Sequence, residues 1–215
     1  MPSALDLDAV TVDALGTLVE LDDPVPALET ALEARGVTRS RDAIASAFRA
    51  EADYYRSRIA APGEWDADAV ASLRRDCTGV FLTALAAPLA PESFTPAFVG
   101  ALRFRLTEGA ADALAALKRE RLALACVSNW DPTLEARLEE LGVARLFEAV
   151  VTSAEAGAAK PDPRIFDVAL ARLGTEPGRA LHIGDDDVDR EGALAAGLAF
   201  APPPLATLPK RLGVE

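Results

Sequence analysis

Hydrophobic positions follow two different patterns along the chain. Short apolar runs, several of them rich in β-branched residues, alternate with helical periodicity near the start and through the second half. The predicted strands cover residues 9–12, 122–127, 149–151, 180–183 and 198–201. The predicted helices between them cover residues 109–118, 132–141, 163–173 and 189–196. Strands that alternate with helices in this way favour a parallel sheet with right-handed crossover connections.

The stretch from residue 25 to residue 105 has a different pattern. It consists of successive amphipathic helices separated by proline and glycine breaks, and it contains no convincing strand. One helix is predicted over residues 41–59, with an apolar stripe formed by Ala45, Phe48, Ala52 and Tyr55. We therefore predict a doubly wound, Rossmann-like α/β core that is split after its first strand by an all-helical domain. The core covers residues 1–22 and 106–215, and the helical domain covers residues 23–105.

Charge and composition narrow the set of partners. The chain of 215 residues is 50% hydrophobic and 26% charged, which is typical of a globular protein. Its formal net charge of −12 repels polyanions, so neither nucleic acid nor an anionic membrane is expected as a partner. No stretch approaches the roughly 20 apolar residues of a membrane span, and no signal-like N-terminus is present, which predicts a soluble, cytoplasmic protein.

Polar residues stand where the predicted strands end. Asp13 follows the first strand, Ser128–Asn129 the second and Gly184–Asp185 the fourth, while Lys160 lies in the loop after the third. The ligand crevice of an open parallel sheet lies outside the carboxyl ends of its strands, so these side chains are expected to meet at one edge. A carboxylate there can attack an electrophilic phosphorus or carbon atom, and a lysine can stabilise the oxygens of the transferred group.

Other catalytic classes are disfavoured by what the sequence lacks. His182 is the single histidine, and its place inside a predicted strand favours a core or rim residue over a catalytic one. No nucleophile elbow, phosphate-binding P-loop or dinucleotide-binding glycine motif occurs. The two cysteines have no C-x-x-C spacing, which argues against a disulfide framework or a structural zinc site.

Four segments in order resemble the motifs of the haloacid dehalogenase superfamily, and the helical insertion is similar to the cap of its first subclass. These segments are Asp13–Leu18, Ser128–Asn129, Lys160–Pro161 and Gly184–Asp189. The resemblance implies a hydrolase that acts on a small molecule, as a monomer or homodimer. It implies that Asp13 is the nucleophile, that Ser128 binds phosphate or carboxylate, and that Lys160 stabilises charge.

The same resemblance implies a Mg²⁺ site and a set of substrate contacts. The implied metal ligands are Asp13, the backbone carbonyl of Leu15 and Asp185, with Asp189 in a second shell or acting through water. The implied substrate contacts are Ser128, Asn129, Gly16 and Thr17.

One position departs from the pattern of the phosphatases in this superfamily. They usually carry a second aspartate two residues after the nucleophile, where this chain has Leu15. Loss of such a general acid and base typically lowers the rate by roughly 10²–10⁴-fold, most severely for poor leaving groups. We therefore expect a Mg²⁺-dependent phosphohydrolase for a small phosphorylated metabolite, which is slow or limited to activated phosphates.

Two alternatives stay open. A metal-independent 2-haloacid dehalogenase is one, because the first motif of such enzymes resembles Asp13–Thr17 and also lacks the second aspartate. The retained acidic cluster Asp185–Asp189 argues against it, since carboxylates packed together repel one another unless a cation lies among them. The other alternative is a catalytically silent family member with a binding role.

Overall fold

A computed structural model describes residues 4–61 and 63–214 of the protein. The chain forms two compact units. Residues up to Glu20 and from Arg105 onward form the first, which contains the sheet and is called the core unit below. Leu21–Phe104 form the second, called the helical unit.

The core unit is built on five parallel strands. The strands of the chain, in order, are β1 Ala9–Val12, β2 Val19–Leu21, β3 Phe104–Leu106, β4 Ala123–Ser128, β5 Ala149–Thr152, β6 Ala180–Ile183 and β7 Ala199–Ala201. The main sheet has the order β5-β4-β1-β6-β7, and β2 pairs with β3 in a separate two-stranded sheet. The main sheet is α/β and doubly wound, as predicted, because the strand order reverses direction at β1.

Helices accompany the strands of the core unit. Numbered after the helices of the helical unit, they are α5 Ala110–Arg119, α6 Leu134–Glu140, α7 Ser153–Ala156, α8 Arg164–Leu173, α9 Asp187–Ala195 and α10 Leu208–Arg211. Every residue of β1 and β6 is buried, as expected for central strands of a parallel sheet. Helix α8 is amphipathic and contributes Ile165, Phe166, Ala169 and Leu170 to the core formed with β4 and β5.

The helical unit contains α1 Val25–Glu33, α2 Arg41–Ile59, α3 Ala67–Ala84 and α4 Pro91–Ala101. Side-chain caps fix two of these starts, because Ser40 accepts a hydrogen bond from the Ala43 amide and Asp66 accepts one from the Ala69 amide. Its main core includes the stacked rings of Phe81 and Phe94. None of the helices in the described parts of the chain has the length and hydropathy needed to cross a membrane.

The fold differs from the sequence prediction in two details. The buried line of α2 runs through Ile44, Ala47, Glu51 and Ile59, whereas the predicted stripe of Ala45, Phe48, Ala52 and Tyr55 is only partly buried. The pattern of apolar residues missed this line because one of its members is a glutamate. Strands β2 and β3 were not predicted, and β3 begins inside the stretch expected to lack strands. Each has three residues, too few to show a two-residue period.

Candidate functional site

The carboxyl ends of β1, β4 and β6 bring the predicted residues together. The two neighbouring strands are in register with β1, so that Val12 lies opposite both Cys126 and Ile183. Asp13 follows at the edge of the sheet, where its amide donates to the Ile183 carbonyl at 2.9 Å. Ser128 Oγ, at the end of β4, donates to Asp13 Oδ1 at 3.1 Å. Both side chains are buried.

Lys160 links two carboxylates at this edge. Its Nζ donates to Asp13 Oδ1 and to Asp189 Oδ1, and a third bond of 3.0 Å goes to the Val127 carbonyl. Burial of Lys160 opposes its charged form, but the two carboxylates outweigh burial and raise the pKa of the ammonium group above its ordinary value. The lysine is therefore a buried cation whose three hydrogens are all engaged.

Asn129 fixes the loop that carries this lysine. Its side-chain Nδ2 donates to the Lys160 carbonyl at 3.1 Å, and its Oδ1 accepts from the Lys160 amide at 2.8 Å. The sequence predicted a substrate contact for Asn129. The structure places its side chain against the backbone of the loop, where it holds Lys160 in position.

The turn after β1 brings Gly16 and Thr17 to Asp185. Gly16 has a φ of +88°, a left-handed conformation that favours glycine, and its amide donates to the Val19 carbonyl. Thr17 is buried, and its hydroxyl donates to Asp185 Oδ1 at 3.3 Å. The side chain of Leu15, in contrast, is 46% exposed. An apolar group therefore stands where the phosphatase pattern has an acid.

Asp189 is held at both of its oxygens. Oδ1 accepts from Lys160 and lies 3.0 Å from His182 Nε2, while Oδ2 accepts from the Asp186 amide at 3.2 Å. Burial alone raises the pKa of this carboxyl, but the hydrogen bond with His182 and the charge of Lys160 lower it to about 2. Asp189 is therefore ionised at neutral pH.

The charges of the site fit a divalent cation. One oxygen from each of Asp13, Asp185 and Asp189 lies within 4.8 Å of the others. Burial raises the pKa of Asp13 and of Asp185, and the charge of Asp189 raises both further. Three carboxylates against the single ammonium of Lys160 leave a formal charge of −2. Oxygen donors in this number and with this excess charge suit a hard ion such as Mg²⁺.

Thr11 and His182 also belong to the hydrogen-bond network of the site, which was not predicted from the sequence. The two residues are opposite each other on β1 and β6, both are fully buried, and Thr11 Oγ1 lies 2.8 Å from His182 Nδ1. The predicted core location of His182 is confirmed, but its hydrogen bond to Asp189 depends on the fold. The available signal was a polar residue in the middle of each of two apolar strands, two residues before Asp13 and before Gly184.

Most of the chain is similar to known proteins. A family model described as haloacid dehalogenase-like hydrolase matches residues 7–197. Haloacid dehalogenase-like hydrolase domain-containing protein 3 of Mus musculus is 34% identical over 209 residues, which cover 92% of this chain and 82% of that protein. Phosphoserine phosphatase of Thermus thermophilus is 40% identical over 98 residues, 45% of this chain and 39% of that protein.

The fold is also similar to that of solved structures. The putative HAD-hydrolase YfnB from Bacillus subtilis, a structure bound to magnesium, superposes with a TM-score of 0.75 at 19% identity. The match covers 97% of this chain and 99% of that one. A putative beta-phosphoglucomutase from Thermotoga maritima gives a TM-score of 0.70 at 21% identity, over 96% and 99% of the two chains.

Proposed function

This chain belongs to the haloacid dehalogenase-like hydrolase family, and from that premise we propose that it is a Mg²⁺-dependent phosphohydrolase of small molecules with Asp13 as its nucleophile. The observation that carries the proposal is the group of three carboxylates, Asp13, Asp185 and Asp189, of which Asp13 and Asp189 are paired with Lys160. Several relatives matched over part of the chain are named as phosphatases, among them phosphoserine phosphatase and glyceraldehyde 3-phosphate phosphatase.

The hydrogen bonds to Asp13 select its attacking atom. Ser128 and Lys160 both donate to Oδ1, which orients Oδ2 as the oxygen that attacks phosphorus. The new bond joins Oδ2 to phosphorus while the bond from phosphorus to the leaving oxygen breaks, and the leaving group departs with the electron pair. Water then attacks the same phosphorus while the bond from phosphorus to Oδ2 breaks. The Asp13 carboxylate departs with the electron pair, and the protons of the water leave with the inorganic phosphate.

The remaining residues of the site bind the phosphoryl group or Mg²⁺ and neutralise charge. Ser128 and Lys160 lie beside the nucleophile. The charge of Lys160 and the dipole of the Ser128 hydroxyl stabilise the phosphoryl oxygens. Asp13, Asp185 and the backbone carbonyl of Leu15 would hold Mg²⁺, which when bound neutralises charge on the phosphoryl group. Asp189 acts behind them, through its bond to Lys160. We further propose that the helical domain, predicted as residues 23–105, is the cap that selects the substrate.

Leu15 sets the limit on the leaving group. Its hydrocarbon side chain can neither protonate a departing alkoxide nor activate water, so a basic leaving group is released slowly. Acyl and aryl phosphates need little protonation, because their leaving oxygens are weakly basic. We propose that the enzyme is slow on sugar-type phosphate monoesters and much faster on activated phosphates.

Leu15 also favours a second candidate, metal-independent dehalogenation, in which the same Asp13 oxygen attacks carbon and halide departs. The acidic cluster opposes it, because that reaction supplies no cation to offset Asp185 and Asp189. The substrate would then have to approach carboxylates that nothing neutralises apart from Lys160.

Phosphate release from acetyl phosphate and from p-nitrophenyl phosphate tests the proposal, with Mg²⁺ and with EDTA. The matched variant is Asp13→Asn, which keeps the size of the side chain and removes its nucleophilic charge. We expect release that requires both Mg²⁺ and Asp13. Release unaffected by the variant, or none from either substrate, would refute the phosphohydrolase. Chloride release from 2-chloropropionate in the presence of EDTA would then establish the dehalogenase.

A further inference from the structure

A continuous path of hydrogen bonds runs from the middle of the sheet to the nucleophile. Thr11 Oγ1 lies 2.8 Å from His182 Nδ1, and His182 Nε2 lies 3.0 Å from Asp189 Oδ1. The same Asp189 oxygen accepts from Lys160 Nζ, which in turn donates to Asp13 Oδ1. The imidazole thus stands two bonds behind the lysine that contacts the nucleophile.

The donors and acceptors along this path are fixed by chemistry. Asp189 is a carboxylate that already accepts from Lys160 at the same oxygen, so the hydrogen in its contact with the ring must belong to His182 Nε2. In a neutral ring Nδ1 is then an acceptor, and the Thr11 hydroxyl donates to it. The structure therefore assigns the tautomer with the hydrogen on Nε2.

The ring has no freedom to turn away from this arrangement. His182 is fully buried, and the ring of Phe166 meets it edge-on at 4.8 Å between centroids. An aliphatic side chain would fill the same space without the cost of burying two ring nitrogens. Both nitrogens are nevertheless satisfied, one by Thr11 on the neighbouring strand and one by Asp189.

We propose that His182 is a positioning residue of this site, whose Nε2–H holds Asp189 in the orientation that keeps Lys160 against Asp13. The imidazole touches neither substrate nor reacting atoms. Its effect passes through Asp189, which is fixed at Oδ1 by His182 and Lys160 and at Oδ2 by the Asp186 amide. Loss of the Nε2–H removes one of the three hydrogen bonds that orient Asp189, so the carboxylate can shift and Lys160 is held less firmly against Asp13. Substitution of a residue that hydrogen-bonds a group of the site, without contacting the substrate itself, typically lowers activity or metal affinity by about 10–100-fold.

Three substitutions separate positioning from packing. The amide nitrogen of His182→Gln reaches the place of ring Nε2, whereas that of His182→Asn corresponds to Nδ1 and cannot reach Asp189. His182→Leu keeps the volume and removes both nitrogens. We expect kcat for acetyl phosphate to fall by about 10–100-fold in the Asn and Leu variants, with KM nearly unchanged, and to recover most of that loss in the Gln variant. Equal kcat in the Leu variant and the wild type would overturn the proposal, because packing alone would then explain the histidine.

A second measurement does not depend on turnover, whereas the kinetic one rests on the proposed function. His182 is the only histidine of the chain, so a two-bond ¹H–¹⁵N correlation spectrum of the metal-free protein contains a single imidazole. We expect the pattern of the tautomer protonated at Nε2 and unprotonated at Nδ1. The opposite tautomer would overturn the proposal. A wild type without any phosphate release would refute the phosphohydrolase, and this spectrum would still decide the role of His182.

Discussion

A Cβ atom placed on Gly16 would lie 2.2 Å from Oδ2 of Asp185. The turn after β1 passes this close to the carboxylate because Gly16 has no side chain and adopts a φ of +88°. Thr17, the next residue, donates its hydroxyl to the other oxygen of Asp185. The turn and the carboxylate therefore fit each other only if residue 16 is glycine, and the position of Asp185 depends on that fit.

We predict that Gly16→Ala weakens Mg²⁺ binding more than it weakens the fold. The added methyl group displaces Asp185, so Mg²⁺ affinity should fall by about 10–100-fold in a calorimetric titration. Gly142→Ala is the matched control, because Gly142 also has a positive φ, +75°, but has no atom within 4 Å of its added Cβ. Both variants carry similar backbone strain. An equal loss of Mg²⁺ affinity in the two would contradict the role assigned to the turn.

Leu15→Asp should give the chain the acid and base that it lacks. We expect kcat for an alkyl phosphate such as glycerol phosphate to rise by about 10²–10⁴-fold, because the new carboxyl can protonate the alkoxide. The rate at which the P–O bond of acetyl phosphate is cleaved to form the aspartyl phosphate should change little, because acetate leaves without protonation. Leu15→Asn is the control of similar size and polarity without an acidic proton. If Leu15→Asn raises kcat for the alkyl phosphate as much as Leu15→Asp does, the lack of proton transfer at position 15 is not what limits the wild type.

The positions of the main residues were predictable because they follow from strand ends. In a parallel sheet the residues after successive strands meet at one edge, so the approach of Asp13, Ser128 and Asp185 required only a correct reading of β1, β4 and β6. Lys160 was harder to place from its pattern alone, since it comes from a loop. Its position depends on the two hydrogen bonds from Asn129 to its backbone.

What the sequence could not give are contacts made across the sheet or inside the helical unit. His182 meets Thr11 only because β1 and β6 pair in one register. The burial of Glu51 depends on how α2 packs, and a polar residue in a buried line is invisible to a pattern of apolar positions. In both cases the role of a polar side chain depends on tertiary contacts, which the residue type alone does not predict.

Removing the ammonium of Lys160 should destabilise the metal-free protein. Lys160→Met keeps the length of the side chain and leaves Asp13 and Asp189 without their shared cation. Loss of one partner of a buried ion pair typically costs about 3–5 kcal/mol. Thermal unfolding of the variant should begin at a lower temperature in EDTA, and Mg²⁺ should restore part of the difference by neutralising the same carboxylates. If Mg²⁺ raises the unfolding temperature of the variant no more than that of the wild type, Mg²⁺ and Lys160 do not neutralise the same carboxylates.

Glu51 predicts a pH-dependent effect in the helical unit. Burial raises the pKa of this carboxyl above its ordinary value of 4.5, although a hydrogen bond from Cys77 and the charge of Arg56 lower it in part. The folded protein therefore holds the proton more tightly than the unfolded chain does. Protonation of Glu51 therefore contributes to the free energy of unfolding. This contribution is fully present below pH 4.5, the ordinary pKa, and is lost as the pH rises through the pKa of the folded state.

Glu51→Gln resembles the protonated form at every pH, so its advantage over the wild type should exist only where Glu51 is charged. We expect the variant to unfold at a higher temperature than the wild type at pH 8, because it does not bury the charge that Glu51 carries there. At pH 4.5 the difference should largely disappear. Glu33→Gln, at an exposed position of α1, should show no such dependence. A variant that is less stable than the wild type at pH 8 would contradict this prediction. The charged carboxylate would then have a partner whose attraction exceeds the cost of burying the charge.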